Sequence, residues 1–382
     1  MKCRAVIIGS DHTNTLSLIR DLGRNKIPFV LIMHSEDRHL CANSRYVRKN
    51  YVFVAQTKEA IMGALRKIRS KAEHKPVILC ATDIAQYTVD FYLKELENDF
   101  YCFAFHHEEK KICRMMDKYE QYLFACRHGI KMAKTWKIKL EQDKMLPEDM
   151  EYPVIVKPAI SAFGAKTDIA KADDEKALLG IIQRFKQKGY TEVLLQKYIE
   201  NKSEFTALGC VFSKEIDNIV VWLKKIHIYP VVGGSISYAQ NRTSIPKEAL
   251  HVVRTLQEEG YAGLYDLDFF YADGGYMLNE INFRNSGVNY ALKPHGINTA
   301  YQWYLYCNGE DITPFEKKAL KEKYNFAIYM QLCLLQKKEI GFFTFVKEFC
   351  KASSYSIFAW DDLKPLLKMI MNVAFIRERF QS

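Results

Sequence analysis

Four short runs of almost unbroken apolar residues divide the first hundred positions: "RAVIIGS", "PFVLIM", "YVFVA" and "PVILCAT". Thr13 to Gly23, Thr57 to Glu73 and Ile84 to Glu97 fall between or after these runs and have helical spacing, with Leu16, Ile19 and Leu22 on one side of the first. Apolar strands separated by amphipathic helices predict a parallel sheet covered on both faces. Ligands of such sheets bind beyond the carboxyl ends of the strands. That rule singles out Ser10 and Asp11, after Gly9, and Thr82 and Asp83 as candidate substrate-binding residues. Plain strand-to-helix turns with Ser, Thr and Asp as caps explain the same residues equally well. The turn "GSDHTN" is not GxGxxG, so a dinucleotide-dependent dehydrogenase has little support.

From about residue 113 the texture changes. Asp117 to His128 has helical spacing, "HGIKMAKTWKI" and "YPVIVKP" each hold a strand, and Asp173 to Gly189 is a further helix. Strands "EVLLQKYI", "EFTALGCVF" and "NIVVWLKKIHIY" then follow one another, which is the pattern of an α+β domain. The chain therefore divides by expectation into an α/β unit at 1–112, an α+β unit at 113–310 and helices appended at 311–382. The last of these, "LKPLLKMIMNVAFIRERF", is amphipathic enough to lie on an anionic membrane. It lacks a long polar face, which favours packing against the body of the protein.

The stretch "LDFFYADGGYMLNEINFRN" is the most informative in the chain. "ADGG" between two strands signals a hairpin, and Glu280 and Asn282 share a face because they lie two apart. A three-residue loop would set Asp268 opposite Glu280, so that Asp268, Glu280 and Asn282 converge as hard-oxygen ligands for Mg²⁺. A two-residue loop would place Asp268 and Glu280 on opposite faces, leaving a structural hairpin. Arg284, just past the strand with Asn285 and Ser286, suits a phosphate or carboxylate, which its planar fork pairs bidentately. It would also simply neutralise a neighbouring acid.

The run "AISAFGAKT" fails as a P-loop, because Ile160 and Ala165 stand where glycines are required. Lys157 ends an apolar strand and is followed by Pro158 and a loop of small residues. Ser161, Gly164 and Ala165 would let backbone N–H groups approach an anion.

In order, the chain offers Lys118, Lys157 with its loop, "QKYI", Glu204, Asp268, Glu280 and Asn282. This series, with "NEINFRNSG" as its most specific piece, resembles the ATP-grasp superfamily over roughly Cys113 to Gly309. The resemblance implies an ATP-grasp domain preceded by a parallel-sheet pre-ATP-grasp domain and followed by a helical C-terminal extension. It implies that Lys118 and Lys157 bind nucleotide phosphates and that Ser161 to Lys166, including Gly164 and Ala165, form the loop over them. Gln196, Lys197, Tyr198 and Ile199 would meet adenine, and Glu204 the ribose. Asp268, Glu280 and Asn282 would hold Mg²⁺, or Mn²⁺ in its place. The loop has a single glycine, and prolines are missing after "HGI", which are departures from the family pattern. "KKIHIYPVVGGSISYAQN" resembles a segment of carboxylate–amine ligases, with Lys224 and Lys225 placed to reach phosphate or carboxylate. The layout is closest to D-aspartate ligase-like and carbamoyl-phosphate-synthase-like single-copy proteins.

The expected function is an ATP- and Mg²⁺-dependent ligase joining a carboxylate to an amine, with Arg284 and Lys157 catalytic. Substrate contacts are expected from Ser10, Asp11, Thr82, Asp83, Lys225, Arg284, Asn285 and Ser286. The rivals are ATP-dependent activation of bicarbonate and a nucleotide-binding protein without turnover. Among 382 residues the net charge of +10 favours anionic ligands, but the basic residues are spread out and form no nucleic-acid motif. Ten cysteines without a CxxC pair exclude a disulfide framework and a structural zinc site. With no signal peptide and no membrane-spanning run, the expectation is a cytoplasmic protein with small-molecule substrates, and a homodimer is left open.

Overall fold

The computed structural model describes residues 3–36, 40–140, 146–159, 168–200, 202–213, 216–226, 237–239, 245–312 and 323–371. The four apolar runs form parallel strands β1 (Ala5–Gly9), β2 (Phe29–Met33), β3 (Val52–Val54) and β4 (Val77–Cys80), in the order β3-β2-β1-β4. Helices α1 (Thr13–Arg24), α2 (Lys58–Arg69) and α3 (Asp83–Phe91) pack on them, and a break at Tyr92 separates α3 from α4 (Leu93–Leu96). A short strand β5 (Ala104–Phe105), helix α5 (Lys111–Met115) and helix α6 (Lys118–Arg127) lead away from the parallel sheet. Asp117 caps α6, its Oδ1 accepting from Tyr119 N at 2.8 Å.

Two antiparallel layers follow. The smaller contains β6 (Thr135–Lys139), β7 (Val154–Lys157), β8 (Ala170–Ala172) and β9 (Glu192–Lys197), ordered β6-β9-β7-β8. Helix α7 (Glu175–Gln187) covers it, and Val154, Val156, Leu178, Ile181, Phe185 and Val193 belong to a core of their own. The larger sheet is built on β10 (Ser203–Val211), β11 (Ile219–Lys225), β12 (Ser237–Ala239), β13 (Tyr261–Ala272) and β14 (Gly275–Asn282). Helices α8 (Lys247–Glu258) and α9 (Thr299–Cys307) flank it, and its core is continuous with that of the parallel sheet.

The C-terminal segment is not purely helical, as the sequence led us to expect. Strands β15 (Lys323–Phe326) and β16 (Ser354–Tyr355) extend the large sheet in the order β14-β13-β10-β11-β12-β15-β16. Runs of four and two residues are too short to show period-2 alternation, which is why they escape a sequence pattern. Between and after them lie α10 (Ile328–Gln336), α11 (Phe342–Lys351) and α12 (Lys364–Met371). All ten cysteines are free, and no helix among the described residues is long and apolar enough to cross a membrane.

Polar bolts join the parts. Asn285 N donates to Cys80 O at 3.0 Å, and its side-chain amide donates to Asn14 O and Ser17 Oγ at 2.7 and 2.9 Å. At the other end of α1, buried Arg20 pairs with buried Asp362 at 3.0 Å. Asp362 also accepts from Ser44 Oγ and Arg45 N, both at 2.8 Å. This pair fastens the C-terminal segment to the parallel-sheet unit. Removing one member leaves an uncompensated buried charge, so Asp362→Ala is expected to lower stability by about 3–5 kcal/mol. Denaturant unfolding followed by circular dichroism measures the loss.

Candidate functional site

The hairpin of β13 and β14 turns through two residues, since Ala272 pairs with Gly275. Asp273 and Gly274 both adopt positive φ, at 52° and 74°, as the mirror-image turns of tight hairpins require. The register runs Tyr271 with Tyr276, Phe270 with Met277 and Phe269 with Leu278. Continued unbroken, it would set Asp268 opposite Asn279 and send Glu280 to the other face. A β-bulge intervenes between Asp268 and Phe269, Asn279 is left without a partner in the register, and Asp268 meets Glu280. Asp266 then faces Asn282. The two-residue loop that would have cancelled the convergence is thus present, and the extra strand residue restores it.

Cations from other elements hold these oxygens. Lys225 Nζ lies 2.8 Å from Asp268 Oδ1 and 3.4 Å from Glu204 Oε2. Burial opposes the charge of Lys225, but Asp268 and Glu204 outweigh it and hold its pKa above the usual lysine value. Lys118 Nζ is 3.4 Å from Glu280 Oε1. Arg284 spreads its fork over three side chains, Asp83 Oδ1 at 3.1 Å, Asp266 Oδ2 at 3.0 Å and Asn282 Oδ1 at 3.1 Å, and also donates to Asn285 O at 3.2 Å. Asp266 is a site residue that sequence reading missed, although the alternation in "DLDF" marked it as sharing the face of Asp268. Its other oxygen accepts from Thr206 Oγ1 at 2.8 Å. Burial and the neighbouring Asp268 push its pKa up, while Arg284 and Thr206 pull it back.

Lys157 ends β7 and is buried. Its Nζ donates to Gln196 Oε1 at 2.8 Å, and Gln196 Nε2 donates to Thr135 Oγ1 at 3.0 Å. Burial, with nearby Lys118, lowers the pKa of Lys157 to about 7 against an opposing pull from Glu280. The two lysines and the acid of β14 therefore meet at one place. The N-terminus of α6 is tied to the end of this strand region by Lys118 N donating to Ala159 O at 2.9 Å.

Other candidates are placed differently. Asp83 reaches the cluster through Arg284. The carboxylate of Asp11 accepts from Leu40 N and Cys41 N at 2.8 and 2.6 Å, Ser10 O accepts from His12 N, and Thr82 caps α3 while bonding His34 Nε2. Asn285 is the bolt to α1, and Ser286 Oγ accepts from Val288 N at 3.2 Å. Lys197 pairs with exposed Glu151, Tyr198 N donates to Pro153 O, and Ile199 is half-buried beside them. Lys224 sits over the Phe205 ring, away from the acids. Ser161, Gly164, Ala165 and Lys166 lie outside the described residues, as does the Gly-Gly-Ser turn after Lys225.

Among the described residues no three His, Cys, Asp or Glu side chains form a metal cage. Two facing carboxylates and an amide oxygen instead form an incomplete donor set. That suits Mg²⁺, which keeps waters and takes substrate phosphates as its remaining ligands.

Residues 123–293 match the family model of the ATP-grasp domain. The chain therefore carries an ATP-grasp domain, with the mixed α/β architecture of that fold. Solved structures with a similar fold include an L-amino acid ligase from Bacillus licheniformis, 14% identical over 84% of this chain and 76% of that one, with a TM-score of 0.59. An N5-carboxyaminoimidazole synthetase from Staphylococcus aureus complexed with ADP is 18% identical over 89% and 86%, with a TM-score of 0.64. The biotin carboxylase domain dimer of a 2-oxoglutarate carboxylase from Hydrogenobacter thermophilus, in complex with MgADP, ADP and bicarbonate, is 17% identical over 85% and 74%, with a TM-score of 0.62. At these identities the likeness establishes the fold. No curated protein matches the chain in sequence.

Two outcomes follow from the geometry. Asp268→Asn removes one of the two facing carboxylates, so Mg²⁺-dependent ADP affinity is expected to fall at least about tenfold, the loss of a charged contact. Isothermal titration with and without Mg²⁺ reads it. Second, an arriving phosphate raises the pKa of Lys157 from about 7. Nucleotide binding should then take up close to one proton at about pH 8 and almost none at about pH 6, where the lysine is already charged. Titration in buffers of different ionisation enthalpy measures the uptake, and Lys157→Met should abolish it.

Proposed function

We propose that this protein is an ATP- and Mg²⁺-dependent ligase that joins a carboxylate to an amine through an acyl phosphate. One observation carries the reading. Asp268, Glu280 and Asn282 converge on one face of the hairpin, Lys118 reaches Glu280 from α6, and Lys157 lies close enough to feel both charges. Two amines beside an open oxygen set form a receptor for a polyphosphate.

Lys118 and Lys157 bind the nucleotide phosphates and offset charge on the phosphoryl group as it moves. The strand from Gln196 to Ile199 lines the base, and Glu204 takes the ribose. Mg²⁺, or Mn²⁺ with its similar preference for oxygen donors, is held by Asp268, Glu280 and Asn282 and supplies Lewis-acid stabilisation when bound. The carboxylate oxygen takes the γ-phosphoryl group and ADP leaves. The amine nitrogen then attacks the acyl carbon, phosphate departs, and the amine proton passes to the phosphate. Arg284, anchored by Asp83 and Asp266, orients the acid and stabilises the developing oxyanion. Lys225, on the same face, meets the second anionic group of the substrate. The small-molecule acid and amine define the partners, in a cytoplasmic setting.

The test screens amino acids and hydroxy acids in pairs, with product mass and ADP release as readouts. ADP formation that requires both an acid and an amine supports the reading, and Glu280→Gln is expected to lower that rate about a hundredfold or more. Formation of AMP and pyrophosphate alone would refute it. Turnover with bicarbonate and no organic acid would move the activity to carboxylate activation of the kind that the biotin carboxylase relative's bound bicarbonate suggests.

A further inference from the structure

The C-terminal segment presents an apolar surface that the nucleotide site does not use. Helix α11 has no buried residue. Phe343 is 87% exposed and Phe342 63%, with Val346 and Phe349 also exposed. Phe345 and Phe349 both meet the buried Phe326 ring, at 5.3 and 5.4 Å. From Phe349 the aromatic surface continues by ring contact to Tyr355 at 4.9 Å, then Phe358 at 5.3 Å, then Trp360 at 4.7 Å. Trp360 is 82% exposed. Soon after it, α12 buries Pro365 and Met369 while exposing Leu367, Ile370 and Met371. Single exposed apolar residues are ordinary, but a connected series of large ones marks an interaction surface.

The exposed charges of the two helices are positive, and Asp361, next to Trp360, is held by Arg24 and Lys293. Lys347, Lys351, Lys364 and Lys368 are exposed on α11 and α12, and the one acid of the two helices, Glu348, is half-buried. Aromatic and aliphatic side chains interleaved with lysines are the composition of an element lying in a lipid interface, with apolar groups at the acyl boundary and ammonium groups at the phosphates. A second copy of the chain is a poorer occupant. A two-fold contact through this face would bring two sets of lysines together with no exposed acid of α11 or α12 between them, while offering the apolar groups nothing that a bilayer lacks.

We propose that α11, α12 and the Tyr355–Trp360 turn between them form a docking face for an anionic membrane surface. No described helix is able to span a bilayer, so the protein lies on it. The attachment is reversible and falls with salt, because it combines modest apolar burial with a few surface charges.

Full-length protein sedimented with vesicles tests this, using phosphatidylcholine alone and phosphatidylcholine mixed with phosphatidylglycerol. Binding to the mixed vesicles and not to phosphatidylcholine alone is expected. Lys364→Gln with Lys368→Gln should lower the partition coefficient about thirtyfold, the share of two interfacial lysines. Phe343→Ser should abolish sedimentation while leaving the melting temperature unchanged, since the ring touches little of the fold. Fluorescence emission should shift to the blue on the mixed vesicles, and Trp360→Phe should remove that shift. Equal sedimentation of wild type and Phe343→Ser would overturn the proposal. So would lipid-free self-association, abolished by Phe343→Ser, in a protein that ignores both kinds of vesicle; the face would then seat a second copy.

Discussion

Three carboxylates, Asp266, Asp268 and Glu280, stand on one face of two adjacent strands, where their mutual repulsion would pull the hairpin apart. Each is matched to a cation that arrives from outside its own pair of neighbours: Arg284 past the end of β14, Lys225 from β11 and Lys118 from α6. The remaining geometry of the cleft follows from this balance. Arg284 ties the acids to Asp83 at the carboxyl end of β4, so the parallel sheet is registered against the hairpin by charge as well as by the Asn285 bolt. The large sheet and the parallel sheet also share one apolar core, which fixes that registration further.

Lys157 sits across from these acids under a different constraint. It is buried with an amide as its hydrogen-bond partner, and a second lysine stands nearby. A lysine so placed is costly to keep charged until an anion arrives. The cleft is therefore asymmetric: its acidic wall sets Asp83, Glu204, Asp266, Asp268 and Glu280 against three cations, while Lys157 on the other wall is bonded to an amide. Such an arrangement favours an incoming polyphosphate on the basic side and a divalent cation on the acidic side.

Much of this was legible in the residues. The apolar runs gave the parallel strands because buried central strands leave an unbroken signature, and "NEINFRN" located the end of the hairpin. The bulge was not legible. Asn279 looks like any polar strand residue, and only the pairing of Phe269 with Leu278 shows that a residue has been gained. Asp11 and Thr82 have the composition of ligand-binding turns, yet their oxygens serve backbone amides and His34. Residue type does not distinguish a cap from a contact, because both use the same acceptor chemistry. Asp266 was overlooked for the opposite reason, hidden beside a residue already assigned. β15 and β16 join the sheet through long-range pairing that leaves no trace in so few residues.

The small sheet with α7 keeps its apolar side chains to itself. Its links to the neighbouring helix are polar: Lys118 N to Ala159 O, and Lys137 Nζ to Asp117 Oδ2 at 2.9 Å. Tilting that layer as a rigid flap would strip few hydrocarbon contacts from either body, whereas displacing the parallel sheet would tear a continuous interior. The side of the cleft that bears Lys157 is therefore easier to displace than the side that bears the acids, because its interior is packed separately.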